Sequence, residues 1–417
     1  MNHRVAVTGM GLVTALGLGA DETWRRLVAG ESGVRPVTLF DVSTCRGRTA
    51  AAIDGLPIPE GWLPAKRVRE MDRASRMLLI AVHEALLQAS LLPNTPSPRQ
   101  SIAPLRAFLV LGTTGGGMRS GEVFHRRLMA GRPRAARGKL LRNYVPQQQA
   151  IDLQEAFGVD GPILTIANAC ATGANAIGYG FHLVRSGQHD LVLCAGYDGL
   201  SELIFAGFDS LQAMTTELCR PFDKNRSGLV IGEGAGVLVL ESVEHAKQRG
   251  AKILGEIAGY GQSIDTHHLT QPHPEGDGAL LAMQQAIETA GLRPEEVDHV
   301  NAHGTATPQN DSMESKAIRR CFGDATKRIP VTSVKGAIGH ILGGAGAAEG
   351  VISLLTLQHQ AIPPTLNYET PDPACDVAVV ARKARTYPTR TVLSNSFGFG
   401  GANAAVVFRR WGDGAME

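Results

Sequence analysis

The sequence predicts an α/β fold assembled from two related halves. Three observations lead there. Short apolar runs alternate with amphipathic ones along the whole chain, the alternation restarts near residue 250, and glycine is abundant without being periodic. Strands that alternate with helices imply sheets covered on both faces. The 49 glycines among 417 residues exclude collagen-like and linker readings and leave tight turns and close backbone approach.

The elements follow in order. "RVAVTG" (4–9) reads as a strand entering a glycine turn, and "ADETWRRLVAG" (20–30) as a short helix with acidic residues in its first turn. "MDRASRMLLIAVHEALLQASL" (71–91) has helical periodicity with a long apolar face. "RAFLVLG" (106–112) and "DLVLCAG" (190–196) read as buried strands. "GPILTIA" (161–167) is a strand that runs into a helix start around Cys170, and "GLVIGEGAGVLVLE" (228–241) reads as a glycine-punctuated strand pair. The second set has strands at 251–261, 297–304, 329–336, 390–397 and 403–410, and helices at 278–291, 311–323 and 344–360. The halves are placed at 1–250 and 251–417. No low-complexity linker separates them, so tight fusion is expected, although self-similarity in sequence is faint.

Composition removes several classes. Hydrophobic residues make up 43% and charged residues 19%, a globular balance. A net charge of +2 gives no reason to expect nucleic acid or a membrane surface as a partner. The opening "MNHRVAVTGMG" reads as a strand entering a glycine turn, not as a signal peptide's apolar stretch behind positive charge, and no apolar run approaches the roughly 18 residues of a membrane span. Six cysteines without a CxxC pair argue against a disulfide scaffold or zinc ribbon, so a reducing cytoplasm is expected.

The chemistry centres on "TIANACATGANAIGYG" (165–180), where Cys170 stands among small residues. It is either a small buried filler or a nucleophile at a strand-to-helix turn. There the helix N-terminus would lower the thiol pKa and nearby N–H groups would receive an oxyanion. Of 13 histidines, His303 in "NAHGTATP" and His340 in "SVKGAIGHILGGAGAAEG" stand among small neighbours, as a histidine beside a threaded substrate would. Lys335, five residues before His340, would add positive charge. His267, His268 and His273 fit no metal-ligand spacing and read as a solvated loop. "SNSFGFGGANAAVVF" (394–408) is either an ordinary turn or a gate with an N–H donor beside the thiol.

Together, "NACATG", "NAHGTATP", "SVKGAIGH" and "NSFGFGGAN" resemble the β-ketoacyl-acyl carrier protein synthases, condensing enzymes of the thiolase superfamily. The resemblance spans essentially the whole chain, and the ordered set is similar to the elongating Cys-His-His branch. It implies a thiolase-like five-layered αβαβα fold, a dimer formed through the nucleophile-bearing half, and acyltransferase activity. Cys170 would take the acyl chain as a thioester. His303 and His340 would serve decarboxylation of malonyl-acyl carrier protein and stabilise the enolate. Backbone N–H groups of Cys170 and Phe399 would form the oxyanion hole, and Phe399 would gate the pocket beside Phe397. Lys335 would set the electrostatics together with Asp311 and Glu349, the latter two counted with the substrate-binding set. Thr305 and Thr307 would hold the phosphopantetheine arm of the carrier. No cofactor is implied. A monovalent cation is implied near Asn301, Ala302, Glu349, Ser394 and Asn395.

Two features are this chain's own. Gly115 stands where many elongating relatives carry a bulky aliphatic residue, and is expected to open the acyl pocket. "HRRLMAGRPRAARGKLLR" (125–142) has no acidic residue. Its Arg126 and Arg127, with Lys66, Arg67 and Arg69, form either a solvated surface or a dock for the acidic carrier. The expected reaction is decarboxylative condensation, in fatty-acid elongation or, slightly favoured by Gly115, in a specialised polyketide or polyene pathway. The partner would be the carrier protein, within a homodimer or a heterodimer with a chain-length-factor-like homologue. A non-catalytic chain-length-factor-like subunit and an acyl-thioester cysteine hydrolase are the alternatives.

Overall fold

The computed structural model describes residues 2–93, 104–135 and 137–412. The first half supplies β1 (Val5–Val13), α1 (Arg73–Gln88), β2 (Phe108–Gly112), β3 (Ile163–Ile166), α2 (Thr172–Arg185), β4 (Leu191–Asp198) and β5 (Gly234–Ser242). The second supplies β6 (Gly255–Ile264), α3 (Asp277–Thr289), β7 (His299–Asn301), α4 (Pro308–Phe322), β8 (Pro330–Thr332), α5 (Ala345–His359), β9 (Ala378–Val379), β10 (Thr391–Phe397) and β11 (Ala402–Arg409).

The strands run in the order β3-β2-β4-β5-β1 and continue as β6-β11-β10-β7-β8-β9. In the first set β1, β5 and β4 are successively antiparallel, and β4, β2 and β3 are parallel. In the second, β6, β11 and β10 are successively antiparallel, and β10, β7 and β8 are parallel. The sets join only where Val5–Val7 pairs with Gly255–Ile257. The duplication that is faint in sequence is plain in topology.

It extends to single residues. β1 shifts register between Val7 and Gly9, and β6 between Ile257 and Gly259. A Cβ on Gly9 or Gly11 would lie 2.1 Å from Ala85 O or 1.9 Å from Ala81 O of α1. A Cβ on Gly259 or Gly261 would lie 2.1 Å from Ala286 O or 2.1 Å from Ala282 O of α3. "TGMG" therefore does not end the first strand as expected; its glycines let a helix lie on it. The expected strand pair at 228–241 is a single strand, β5, preceded by one-residue bridges from Leu229 to Met214 and from Ile231 to His340.

Strand periodicity divides the core. In β5, Val237 and Val239 face the cluster that contains α1, whereas Leu238 and Leu240 face the one that contains α2 and α5. In β11, Ala404, Val406 and Phe408 face α2 and α5, and Ala405 and Val407 face α3. The result is five layers: α1, the first sheet, α2 with α5, the second sheet, and α3. The middle helices cross at their first turns. A Cβ on Gly173 would stand 2.7 Å from Ala347 N, and one on Gly346 2.5 Å from Ala174 N. The small residues after Cys170 thus serve helix packing at the centre of the molecule. No helix among the described residues is long and apolar enough to cross a membrane.

Candidate active site

Cys170 follows β3 in a one-turn 3-10 helix, Ala169–Ala171, that leads into α2. Ala169 holds φ at 52°, a strained value for a residue with a side chain. The turn is pinned from two sides: Ala169 O accepts from Thr172 Oγ1 at 2.5 Å and from Thr114 Oγ1 at 3.2 Å. No side chain caps α2, and the N–H of its first residue, Thr172, donates to Ala169 O of the preceding turn. The other middle helix begins alike. α5 is preceded by the 3-10 turn Leu342–Gly344, with Leu342 also at φ 52°.

His340 lies just before that second turn. His340 N donates to Val230 O at 2.8 Å and His340 O accepts from Gly232 N at 2.9 Å, which fixes the ring's backbone on both sides. Its Nε2 is 3.0 Å from Cys170 Sγ. His303 follows β7, where the carboxylate of Glu314 accepts from His303 N and Gly304 N, both at 2.8 Å. The reactive atoms of Cys170, His303 and His340 all lie within 4.8 Å of one another. The two imidazole rings are 5.3 Å apart at 85°.

These groups sit on the floor of a cavity of about 300 Å³. Thr305 and Thr307 line its mouth, with hydroxyls 2.9 Å apart. Phe397 and Phe399 form one wall, and Phe208 stacks on Phe399 at 5.6 Å between centroids. The Phe399 N–H is directed at the Cys170 sulfur. Gly398 passes over the thiol's own backbone, since a Cβ there would be 3.1 Å from Cys170 N.

Burial sets the protonation. It pushes the Cys170 thiol up to about 12, against the pull of Lys335 and the Phe399 N–H. It also holds His303 and His340 well below the usual histidine range, and the charge of Lys335 lowers both histidines further. The resting pair is therefore a thiol beside a neutral imidazole. The depressed thiol expected at a helix start is not what the site holds at rest, because desolvation outweighs the nearby positive charge. Lys335 is itself buried and ion-paired with Glu349, whose carboxyl burial raises to about 7 against the pull of Lys335.

Several expected residues fall elsewhere. Glu349 and Asp311 do not line the cavity: Glu349 binds Lys335, and Asp311 accepts from Phe222 N at 2.7 Å and Ala306 N at 3.1 Å, holding the threonine loop from behind. Gly115 leaves no void, because Ile204 Cδ1 would be 2.6 Å from its Cβ. Arg67 cannot serve as a surface dock. It is buried, with its guanidinium on Asp152 at 2.5 and 2.7 Å and on Asn143 at 2.7 Å. Lys66 and Arg69 are exposed on the Ala65–Glu70 helix, and Glu70 bonds Lys139 at 3.1 Å. Arg126 is exposed but bonded to Glu202 at 2.6 Å, while Arg127 is half-buried against Ala135 O at 2.8 Å. Among the described residues, the only group with metal-ligand proximity is Cys170, His303 and His340, so the 267–273 histidines form none.

Sequence reasoning missed Phe208, Ile204, Glu314 and Asp198. The first two lie in an unremarked apolar helix. The acids carried a signal: each is a carboxylate within or at the end of a buried element, which demands donors.

Residues 2–246 match the family described as "Beta-ketoacyl synthase, N-terminal domain", and residues 254–369 match "Beta-ketoacyl synthase, C-terminal domain". The chain is 36% identical over 416 residues to a Staphylococcus aureus "3-oxoacyl-[acyl-carrier-protein] synthase 2", covering 98% of this chain and 99% of that one. It is 39% identical over 420 residues to a "Putative polyketide beta-ketoacyl synthase 1" of Streptomyces halstedii, covering 98% of each. Among solved structures it superposes on "The ishigamide ketosynthase/chain length factor" with a TM-score of 0.90 and 35% identity, over 99% of this chain and 100% of that one. With its five thiolase-like layers and a cysteine and two histidines converging on one cavity, the chain belongs to the β-ketoacyl synthase family.

Proposed function

We propose that the chain is a β-ketoacyl-acyl carrier protein synthase that condenses an acyl group held on Cys170 with malonyl-acyl carrier protein. The observation that carries this reading is the 3.0 Å contact between Cys170 Sγ and His340 Nε2, with His303 beside them on the cavity floor. In the first stage the sulfur attacks the acyl thioester. Its proton passes to His340 Nε2 and then to the departing pantetheine sulfur. The oxyanion rests between the N–H groups of Cys170 and Phe399.

In the second stage the malonyl thioester loses CO₂, and its enolate oxygen takes N–H donors from His303 and His340. The carbanion attacks the Cys170 thioester carbon, the C–S bond breaks, and the β-ketoacyl product leaves on the carrier. Neither His303 Nδ1 nor His340 Nδ1 has a hydrogen-bond partner, so neither ring is locked in one tautomer between the stages. Loss of CO₂ supplies the carbanion, so no cofactor is needed.

Three buried oxygens on the α5 side of the sheet, Asn301 Oδ1, Glu349 Oε2 and Ser394 Oγ, have no hydrogen-bond partner, whereas the side chain of Asn395 lies on the opposite face with its amide on Glu314. Such an all-oxygen set suits a hard cation, which we assign to those three together with Ala302. We assign carrier docking to Lys66, Arg69 and Arg126, pantetheine binding to Thr305 and Thr307, and gating to Phe399. The six free cysteines suit a reducing cytoplasm.

Between the two pathways, we favour polyketide synthesis with a chain-length-factor-like partner over fatty-acid elongation in a homodimer. The polyketide relative and the ketosynthase/chain length factor structure support this choice. The intact thiol and histidines speak against a non-catalytic subunit. The test is intact-mass analysis of wild type and Cys170→Ala with carrier proteins bearing different acyl chains. An adduct on wild type alone, followed by CO₂ release with malonyl carrier, is expected. Acyl release as free acid without condensation would instead mark a hydrolase.

A further inference from the structure

Asp198 ends β4 and is fully buried. Its carboxylate accepts from Thr113 Oγ1 at 2.7 Å, Thr114 N at 3.1 Å, Gly115 N at 2.7 Å and Gly116 N at 3.1 Å. It also accepts from Gly343 N at 2.7 Å. The Thr113 hydroxyl accepts from Gly116 N, so its own proton points to Asp198. Burial raises the pKa of this acid, but every partner is a donor, an arrangement that favours the ionised carboxylate in a nest of backbone N–H groups.

These donors belong to opposite halves of the chain. Thr113–Gly116 follows β2, and its Thr114 hydroxyl reaches on to Ala169 O, beside Cys170. Gly343 lies three residues after His340, in the turn that starts α5. One carboxylate thus ties the segment that aims the sulfur to the segment that aims the imidazole.

We propose that Asp198 is a positioning residue for the proton transfer from Cys170 to His340, clamping the two segments so that Sγ and Nε2 stay in contact. The proposal rests on Cys170 being the acyl acceptor. Other charged or titratable groups around the sulfur are Lys335, Glu349, His303 and His340, and the negative charge of Asp198 opposes thiolate formation.

The test compares wild type, Asp198→Asn and, as a control, Glu241→Gln. Glu241 is another buried carboxylate, held by Arg249 and His245 away from the cavity. Single-turnover acylation of Cys170 from an acyl-carrier protein and its alkylation by iodoacetamide are followed by intact mass across pH. In Asp198→Asn, acylation should fall about 10²-fold, the loss that a misaligned reacting pair brings. Its alkylation profile should move to lower pH, because a nearby negative charge is gone. Glu241→Gln should lower thermal stability and move neither. If Asp198→Asn does not fold, Thr114→Ala, an exposed residue, should slow acylation without lowering Tm. The proposal is overturned if the folded variant, or Thr114→Ala in its place, acylates and alkylates as wild type does. Wild type that alkylates but never acylates would instead sink the ketosynthase reading.

Discussion

His340 Nε2 touches Cys170 Sγ at 3.0 Å although the two residues stand 170 positions apart and come from different halves of the chain. A neutral imidazole facing a buried thiol is a base placed for the acylation step. His340→Ala should slow single-turnover acylation by about 10²–10⁴-fold, the usual worth of a general base. Stopped reactions read by intact mass would measure it. Unchanged acylation would move the base elsewhere.

The contact between Ile204 and Gly115 makes a second prediction. Gly115→Ile alone should clash, because Ile204 Cδ1 would lie only 2.6 Å from the new Cβ. Ile204→Gly alone should open the space and shift acceptance toward longer acyl chains. The double variant should restore the wild-type profile. Acylation across a chain-length series reads all three, and additive effects would show that the two positions do not share one space.

Phe208 stacks on Phe399, and such a pair is worth about 0.5–1.5 kcal/mol. Phe208→Ala should therefore loosen the wall beside the thioester. Water should then release the acyl group from Cys170 roughly 2–10-fold faster, seen as decay of the adduct mass without malonyl substrate.

His299 in β7 is buried with both ring nitrogens unpartnered, and burial holds its pKa at about 3. Its unfolded value is near 6.5, so between these values the unfolded chain binds the extra proton. Stability is present above about 6.5 and is lost as pH falls toward 3. At pH 5 this histidine should account for about 2 kcal/mol of that loss. His299→Leu should lose less stability than wild type between pH 7.5 and pH 5 in denaturant titrations. An identical pH dependence in both proteins would remove His299 from the account.

The basic surface separates into structural and binding residues. Arg67→Ala should destabilise by about 3–5 kcal/mol, because it strands buried Asp152. Lys66→Glu with Arg69→Glu should leave Tm nearly unchanged and raise the KM for the carrier, an effect weakened by salt.

Much of the site is legible in the sequence because its signals are local. Small residues crowd Cys170, His303 and His340, and glycines surround Phe399, whatever the rest of the chain does. The layers follow from apolar strands alternating with helices. What sequence hides is contact between distant segments. Asp198 meets Thr113 across 85 positions, and Ile204 fills a space left by Gly115. Arg67 reads as one more surface charge until Asp152 arrives from another helix. The strand at "VAVTGMG" runs through its glycines because a helix must lie against them, which no window of neighbouring residues reveals.

The matched turns before α2 and α5 carry a last consequence. Ala169 and Leu342 share the same φ, so Gly343 is the counterpart of Cys170. Cys170 lines the cavity, whereas the N–H of Gly343 is bonded to an oxygen of Asp198. The molecule is two copies of one socket. One opens on the cavity, and the other is stoppered by the chain's own acid.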